Sequence, residues 1–408
     1  MQNFRYGQNQ KNNSGNGSFR SSKRRPFRRS NSGNRFNHQT RGEHIDVARF
    51  VKKAVSPQAQ TSVVINNSFS DFGFCQNINQ ILISIGYTSP TPIQDQSIKH
   101  IMDGRDLVGL ANTGTGKTAA FLLPLINKCY ADKSQKVLII APTRELAQQI
   151  DEEFRRFSRN MNLYSAVCVG GVPSRRQISS LRRNPNFVIG TPGRLKDLKN
   201  KSVLKFSIFQ NIVLDEIDRM LDMGFVEEIK RVLSELPEKR QSLFFSATIP
   251  AKIELLVQQF LHNPVTIKAS TGTTAANVDQ DIVRVENSKK YDRLMDILLK
   301  EDSKKVLIFS ETKRDVERLA KELTISGFKA DSIHGDKRQS QRQRALLSFR
   351  EDHIQVLVAT DVAARGLDVN NISHVINYTI PHTYDDYVHR IGRTGRGDKT
   401  GVALTFVG

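Results

Sequence analysis

A glycine- and threonine-rich loop that ends in lysine is the clearest sign of chemistry in this sequence. Residues 111–118 read Ala-Asn-Thr-Gly-Thr-Gly-Lys-Thr and join a predicted strand to a predicted helix. Gly114 and Gly116 let backbone N–H groups turn around phosphate oxygens, at a helix N-terminus whose dipole favours anions. Lys117 can reach the β- and γ-phosphates of a nucleotide, and the Thr118 hydroxyl can bind Mg²⁺. A chance lysine after a Gly/Thr turn would not explain the strand–loop–helix context, although the first position carries alanine where the pattern has glycine.

A run of carboxylates directly after an apolar strand is the second chemical feature. Residues 212–218 read Ile-Val-Leu-Asp-Glu-Ile-Asp. Asp215 would hold Mg²⁺ through water, and Glu216 would polarise an attacking water as general base. Acidic helix capping is a plausible alternative for Asp218, but it accounts poorly for three acids after a buried strand. The two features together predict an ATP·Mg²⁺ site at the carboxyl edge of a parallel sheet.

Alternating strand and helix patterns after about residue 62 supply the elements that must position these groups. This alternation predicts βαβ units and therefore an α/β fold with parallel sheets. A Gly/Thr/Ala stretch at 270–277 interrupts the pattern and reads as a linker between two such domains. The predicted strands are 106–111, 136–142, 165–170, 187–191, 211–215 and 242–246 before the linker, and 306–310, 330–334, 356–360, 375–378 and 402–406 after it.

The positive charge is concentrated at the N-terminus. The 408 residues carry a net charge of +20, and residues 1–60 hold thirteen Lys or Arg against two acidic residues. The Asn/Gly/Ser/Arg-rich stretch to about residue 41 has too few apolar residues to fold, so a disordered tail is expected. Its scattered aromatics could stack on single-stranded nucleic acid, the alternative being an inert solubilising tail. A short helix with a loosely apolar face is predicted over 44–55.

Several classes of protein are disfavoured. Cys75, Cys129 and Cys168 lie in apolar runs without metal-like spacing, which indicates buried thiols in a reducing compartment. Apolar runs are too short for a membrane span, and the N-terminus has no signal-peptide core; an organelle transit peptide is a minor alternative. We therefore expect a nucleic-acid-binding protein in the cytoplasm, or in the nucleus of a eukaryote.

The region from Phe69 to Phe406 resembles the DEAD-box RNA helicases in the order and spacing of about a dozen motifs. The resemblance implies two tandem RecA-like domains, 61–271 and 279–408, joined by a linker at 272–278 and preceded by the tail at 1–60. It also implies that Ile217, in DEID rather than DEAD, adds only bulk, which could alter packing against the Ser-Ala-Thr motif. Family members usually continue with a further helix, so the end at Gly408 suggests a domain short of its last helix.

The resemblance assigns roles in ATP binding and hydrolysis. Gln94 would read the adenine edge, with Phe69 and Tyr87 stacking on the base, and Asp368 would lie near the ribose. Arg393 and Arg396 would be arginine fingers, and catalysis would also use Lys117. The phosphate loop would comprise Ala111, Asn112, Thr113, Gly114, Thr115, Gly116, Lys117 and Thr118.

The resemblance also assigns contacts to RNA and between domains. RNA phosphates and 2′-hydroxyls, rather than bases, would be bound by Pro142, Thr143, Arg144, Gly170, Gly171, Thr191, Gly193, Arg194, Ser310, Lys313, Arg342 and Thr360. Coupling between the domains would involve Asp218, Ser246, Thr248, His389 and Arg390.

These assignments predict a monomeric ATP-dependent RNA helicase with ATP and Mg²⁺ as cofactors. Single-stranded or duplex RNA is the expected partner, with ribonucleoprotein (RNP) proteins as further candidates. Two alternatives remain: a DNA helicase or remodeller with the same paired domains, and a non-enzymatic RNA clamp. The Gln94 loop and the DExD run disfavour the first, and the intact Lys117, Glu216, Arg393 and Arg396 disfavour the second.

Overall fold

The computed structural model describes residues 46–54, 65–112, 114–269, 277–364, 369, 371–395 and 399–408. Residues 1–45 and 55–60 of the predicted tail and most of the predicted linker lie outside these residues. Thr113, Asp368 and Arg396 also lie outside them, so their predicted roles stay predictions.

The first domain is built on a parallel sheet that has seven strands in the described part of the chain. Its strand order is β3-β4-β2-β5-β6-β1-β7. The strands are β1 Leu107–Leu110, β2 Val137–Ile140, β3 Ser165–Cys168, β4 Phe187–Gly190, β5 Asn211–Leu214, β6 Gln241–Ser246 and β7 Val265–Lys268.

Helices cover both faces of this sheet, which is why its central strands are apolar throughout. Alternate side chains of β2 enter different cores: Val137 and Ile139 pack on one face, Leu138 and Ile140 on the other. The helices are α1 Gln76–Ser84, α2 Pro92–Met102, α3 Lys117–Ala131, α4 Arg144–Phe157, α5 Ser174–Arg182, α6 Pro192–Asn200, α7 Ile217–Asp222, α8 Val226–Glu235 and α9 Ala251–Phe260.

The second domain repeats the plan with a parallel sheet of six strands among the described residues. Its order is β10-β11-β9-β12-β13-β8. The strands are β8 Val278–Arg284, β9 Val306–Phe309, β10 Ala330–Ile333, β11 Val356–Ala359, β12 His374–Asn377 and β13 Gly401–Val407. The helices are α10 Lys290–Leu298, α11 Lys313–Ile325, α12 Gln339–Arg350, α13 Asp361–Ala364 and α14 Tyr384–Ile391.

The predicted fold class is confirmed, since both domains are parallel α/β units, and every predicted strand lies on an observed one. The outer strands β7 and β8, which flank the linker, were not predicted. Both lie at the edge of their sheet, and their short or mixed burial patterns lack a clean period. Across the residues that the structure describes, no helix is both long and apolar enough to cross a membrane.

The segment just after the predicted tail differs from expectation. Instead of a helix over 44–55, the described part holds a 3₁₀ turn, Val47–Phe50, capped by the Asp46 carboxylate. Phe50 is fully buried and Lys52 pairs with Gln280 on the edge strand β8. Residues 46–54 are therefore folded, as a 3₁₀ turn and a short bridge, although the predicted domain bounds placed them in the tail at 1–60. Packing of Phe50 against the second domain holds this short segment in place.

Candidate active site

The phosphate loop follows β1 and is held by backbone contacts. Lys117, the first residue of α3, is buried and donates from Nζ to the Ala111 carbonyl oxygen at 2.8 Å. Gly116 has φ +91°, and a Cβ there would lie 2.4 Å from Gln94 Nε2. Gln94 donates to the Gly116 carbonyl oxygen at 3.1 Å and accepts from the Thr91 N–H at 3.0 Å. Gln94 therefore braces the loop through Nε2, while Oε1 of the amide that was predicted to read adenine caps the start of α2.

The remaining described loop residues complete the turn. Gly114 adopts φ +82°, a conformation that favours glycine. Thr115 Oγ1 donates to the Asn112 carbonyl oxygen at 2.8 Å. Thr118 is half-buried in the first turn of α3. The loop thus leads into the N-terminus of α3, which is the setting that a phosphate site requires.

The carboxylates after β5 lie deeply buried beside cations. Burial raises the pKa of Asp215 to about 7, against the lowering effect of the Lys117 charge. Burial also works to raise the pKa of Glu216, but Arg219 and then Lys117 outweigh it and hold that pKa below its usual value. Arg219 Nη1 donates to Glu216 Oε2 at 2.6 Å, and Arg219 is only 1% exposed. Glu216 is therefore ionised and held by a neighbouring guanidinium.

The backbone at Glu216 is strained as well. It adopts φ +53° and ψ +52°, the left-handed region, while opening α7. Such a conformation in a residue other than glycine costs on the order of 1–3 kcal/mol and often marks functional sites. The strain turns the chain sharply between the buried strand and the helix. Ile217, next in sequence, is fully buried in the core on that face of the sheet.

Asp218 links the carboxylate run to the loop after β6. Its Oδ2 accepts from the backbone N–H groups of Ala247 at 2.9 Å and Thr248 at 3.1 Å. Neighbouring Ser246 is buried, and in the described part of the chain its Oγ has no hydrogen-bond partner. The structure thus places the three predicted coupling residues of this domain together.

The two aromatic residues predicted to stack on adenine lie next to each other. The Phe69 and Tyr87 ring centroids are 6.1 Å apart. Phe69 is 7% exposed and also contacts Phe72, while Tyr87 packs edge-on against Phe157. Much of both rings is therefore used within the core of the first domain, leaving only small surfaces for a base.

Arg144 sits over the predicted RNA-binding glycines. A Cβ on Gly170 would lie 3.0 Å from the Arg144 guanidinium, and a Cβ on Gly171 only 2.3 Å. The positive φ of Gly171, +74°, adds a second reason for glycine there. These three predicted RNA contacts therefore form one surface. Thr143, beside them, caps α4 by accepting from the Leu146 N–H at 3.2 Å.

The other residues of the first domain that were predicted to bind RNA differ in how exposed they are and in how many protein contacts they make. Arg194 Nη1 donates to the Val172 carbonyl oxygen, Ser174 Oγ and Gln177 Oε1 at 3.0–3.3 Å, so it organises a protein loop. Pro142 is buried, whereas Thr191 and Gly193 are partly exposed around the start of α6.

Arg342, predicted to bind RNA, makes an ion pair across the junction of the two domains, and its contact with RNA stays a prediction. Arg342 Nη2 lies 2.8 Å from Glu145 Oε2, with both side chains under a tenth exposed. Gln339 Nε2 donates to Glu145 Oε1 at 3.1 Å, and Gln339 Oε1 accepts from Arg144 at 3.5 Å. Burial lowers the pKa of Arg342, against the raising effect of Glu145. We term Arg144, Glu145, Gln339 and Arg342 the junction cluster.

The remaining predicted RNA residues of the second domain follow its strands. Ser310 is buried after β9, and among the described residues its Oγ has no hydrogen-bond partner. Lys313 Nζ lies 2.6 Å from Asp336 Oδ1 at the surface. Thr360 is 8% exposed at the end of β11.

Arg390 anchors α14 to the second domain. Its Nε and Nη2 donate to the two Asp361 carboxylate oxygens at 2.6 and 2.7 Å, and Nη1 donates to the Asn377 Oδ1 and the Thr379 carbonyl oxygen. Arg390 is 2% exposed and holds α14 in place, and its role in coupling the domains stays a prediction.

His389 and Arg393 bring the second domain to the carboxylates. Burial, and then the Arg219 charge, lower the pKa of His389 to about 4, although Asp218 opposes this, so the imidazole is neutral at pH 7. Arg393 is 3% exposed, and its charge helps to lower the pKa of Glu216. One cavity spans the junction, lined by Asn112, Lys117, Glu216, Asp218, Arg219, Ala247, Val388, His389 and Gly392.

Three residues with a clear place in this geometry, Glu145, Gln339 and Arg219, were not predicted from the sequence. Arg219 could have been found from its spacing, since a cation three residues after Glu216 faces it on a helix. The partners of Glu145 are more than 190 positions away, and nothing local indicates them.

Known protein families match both halves of the chain. Residues 91–256 match the DEAD/DEAH box helicase family, and residues 289–398 match the helicase conserved C-terminal domain. The ATP-dependent RNA helicase CshA of Listeria monocytogenes is 46% identical over 343 residues, which cover 83% of this chain and 66% of that protein. The chain thus spans just under two thirds of that relative's length.

Solved structures agree. A DEAD box protein from Methanococcus jannaschii is 37% identical, with 84% of this chain and 94% of that one covered and a TM-score of 0.50. Dbp5 of S. cerevisiae, bound to RNA and ADP BeF3, is 29% identical, with coverages of 84% and 90% and a TM-score of 0.74. The shared motifs, the paired parallel sheets and these similarities show that the chain belongs to the DEAD-box family of helicases.

Proposed function

We propose that this protein is an RNA-dependent ATPase that couples ATP binding and hydrolysis to RNA binding and to local duplex unwinding or RNP remodelling. One observation carries the proposal: a single cavity is lined by Lys117, Glu216 and Asp218 of the first domain and by His389 and Gly392 of the second. Chemistry at this cavity therefore depends on how the two domains meet. A ligand that favours their contact can control the reaction rate.

The phosphate loop binds the triphosphate of ATP. Lys117 supplies charge to the β- and γ-phosphates, and Gln94 keeps the loop in shape from outside. Glu216, ionised beside Arg219, accepts the proton of the attacking water. Arg393 of the second domain would stabilise the charge on the transferred phosphoryl group, and Arg396 is proposed to assist it.

Magnesium fits the residues that would hold it. Asp215 is 2% exposed, and within the described residues its Oδ1 has no hydrogen-bond partner. The described chain contains no cluster of three or more His, Cys, Asp or Glu that could hold a metal by itself. This suits Mg²⁺, which is commonly held by one or two protein oxygens together with substrate phosphates and water. Asp215 and Thr118 would supply those oxygens, and the bound ion would neutralise charge developing on the phosphates.

RNA would bind along the carboxyl edges of both sheets. The surface made by Arg144, Gly170 and Gly171 offers a guanidinium and close backbone approach, which suit phosphates rather than bases. That Dbp5 was solved with both RNA and ADP BeF3 supports joint binding of the two ligands. If both prefer the joined domains, each must tighten binding of the other.

We extend the proposal to the setting of the protein. It would act as a monomer in the cytoplasm, or in the nucleus of a eukaryote, with RNP proteins as further partners. The basic tail would add affinity for RNA without sequence preference. Deleting residues 1–42 should then weaken RNA binding and flatten its salt dependence. Unchanged affinity at low and moderate salt would remove the tail from RNA binding.

The central test is ATP hydrolysis with RNA, with DNA of equal length and with neither. We expect stimulation by RNA that DNA does not reproduce; equal stimulation would favour a DNA helicase or remodeller. Glu216→Gln should abolish turnover while ATP and RNA still bind together. Glu238→Gln, at an exposed position, is the matched control and should behave like wild type. Wild-type turnover in Glu216→Gln would contradict the proposed base, and slow turnover with long-lived RNA binding in the unmodified protein would favour a clamp.

A further inference from the structure

Phe50 lies outside the first domain in sequence and, among the described residues, does not pack against it. It precedes that domain in sequence, yet its ring is fully buried against the second domain. The buried cluster around it consists of Val278 on β8, Ala403 on β13, and Tyr387 and Ile391 on α14. The Phe50 and Tyr387 rings are 4.5 Å apart between centroids.

Polar contacts fix the same segment in register. Lys52 and Gln280 exchange backbone hydrogen bonds of 3.0 and 2.8 Å, which add a short antiparallel bridge to the edge of the sheet. Tyr387 Oη donates to Gln280 Oε1 at 3.0 Å. The Arg49 guanidinium lies 3.7 Å from the centroid of the Tyr384 ring, a cation–π distance. We term residues 46–54 the docking segment.

The surface under the docking segment leads directly to the active site. Tyr387 and Ile391 lie on α14, which also carries His389, and Arg393 follows two residues after the helix ends. Tyr387 and Ile391 therefore face Phe50 from the same short helix that presents His389 to the cavity.

Val278 connects Phe50 to the far end of the same loop. Its Cγ2 would lie 2.8 Å from a Cβ built on Gly395, whose φ is +64°. Phe50 thus supports the stretch that carries His389 and Arg393 at two places: through α14 and through the turn after Arg393. A void at Phe50 would leave both supports free to shift, because cores transmit displacement through contact.

We propose that Phe50 is a positioning residue for catalysis: the docking segment holds α14 and the turn after it so that His389 and Arg393 meet the carboxylates of the first domain. The inference rests on the proposed function. It gives the N-terminal region a role in turnover that is separate from RNA attraction by the tail. Phe50 itself touches no reacting group, so its effect is exerted through the second domain.

The first test is Phe50→Ala in the full-length chain, measured at saturating RNA. Misplacing a catalytic group by about 1 Å can cost roughly 100-fold in rate, so we expect kcat to fall about 10- to 100-fold. The KM for ATP should change less than about threefold, because the phosphate loop lies in the other domain. Phe50→Leu should restore most of kcat. Val51→Ala, at an exposed neighbouring position, is the matched control and should leave kcat unchanged.

Hydrogen exchange gives a readout that does not depend on hydrolysis. In Phe50→Ala the amides of residues 384–395 should exchange faster, while those of α11 in the same domain stay as in wild type. A pair of truncations separates the segment from the tail: removing 1–45 should preserve kcat, and removing 1–53 should lower it as Phe50→Ala does. If RNA stimulates the wild type and Phe50→Ala turns over equally fast, the positioning role is refuted while the proposed function stands. Loss of protection throughout the domain would also refute it, because Phe50 would then only stabilise the fold.

Discussion

The junction cluster allows a quantitative test of how the two domains are held together. Glu145→Gln removes one charge of the Arg342–Glu145 pair while keeping the shape of the side chain. In the joined state both side chains are buried, at 8% and 5% exposure, and their charged atoms are 2.8 Å apart. Arg342 would therefore stay buried without its counter-charge.

The substitution destabilises the joined state of the two domains. Removing one partner of a buried pair destabilises by about 3–5 kcal/mol, because the remaining charge is uncompensated. When the domains separate, Arg342 can return to water, so most of this cost applies to the joined state alone. Taking about 3 kcal/mol, the closure equilibrium falls by roughly 150-fold. Since RNA is proposed to drive closure, the RNA concentration for half-maximal ATPase stimulation should rise by about 100-fold.

The assay is RNA-stimulated ATPase with a second ion pair at the same junction as control. Arg350 Nη1 lies 3.6 Å from Glu152 Oε2, but these side chains are 47% and 66% exposed. Exposed pairs contribute about 0–1 kcal/mol, so Glu152→Gln should shift the half-saturating RNA concentration only a few-fold. The double variant Glu145→Gln/Arg342→Met removes both charges and should recover much of the loss. Equal effects of Glu145→Gln and Glu152→Gln, or strictly additive effects in the double variant, would refute the reasoning.

Three further outcomes are expected. Gly109→Ala should lower the melting temperature, because a Cβ on β1 would lie 2.6 Å from a phenylalanine ring carbon on β6, and overpacking costs about 1–3 kcal/mol; an unchanged thermal scan would contradict this. Gly116→Ala should raise the KM for ATP at least about tenfold, because the added Cβ would displace the glutamine that braces the loop and alanine would be strained at the φ of +91°. Wild-type ATP binding in this variant would contradict the bracing role of the glutamine. At pH 8 a thiol reagent should label Cys75 well before Cys129 or Cys168, whose pKa burial raises to about 12; mass spectrometry showing equal labelling would contradict their burial.

Much of the fold follows from local pattern. Strands such as Val137–Ile140 and Val306–Phe309 are short apolar runs between helical patterns, and a parallel sheet covered on both faces requires that. The phosphate loop and the carboxylate run lie at strand ends as predicted, because each is set by its own few residues and by the strand before it. The outer strand β8 was missed because its burial pattern has no clean period, and it is paired with β13, far away in sequence.

The protein partners of individual arginines were harder to predict than the positions of these arginines in the fold. Arg194 and Arg342 were both predicted to bind RNA, and that stays a prediction. The sequence did not indicate their protein partners: Arg194 donates to a loop of its own domain, and Arg342 pairs with Glu145. A guanidinium binds a carboxylate or carbonyl as well as it binds a phosphate, so residue type cannot distinguish these partners. The packing of Phe50 was not predicted for a related reason, since its contacts lie more than 220 positions away and nothing in the local sequence indicates them.

The nature of the junction supports the proposed control by ligands. Every extended apolar cluster among the described residues belongs to one domain: two cover the sheet of the first, and the others lie in the second together with Phe50. The contacts across the junction are instead charged or polar, as in the junction cluster and the cavity that His389 lines. Polar groups regain hydrogen bonds to water when the domains part, so these contacts add little net stability, whereas a buried apolar interface would keep the domains together. Under the proposed function, the joined state is then decided by what the ligands contribute, which is the condition under which RNA would set the rate of ATP hydrolysis.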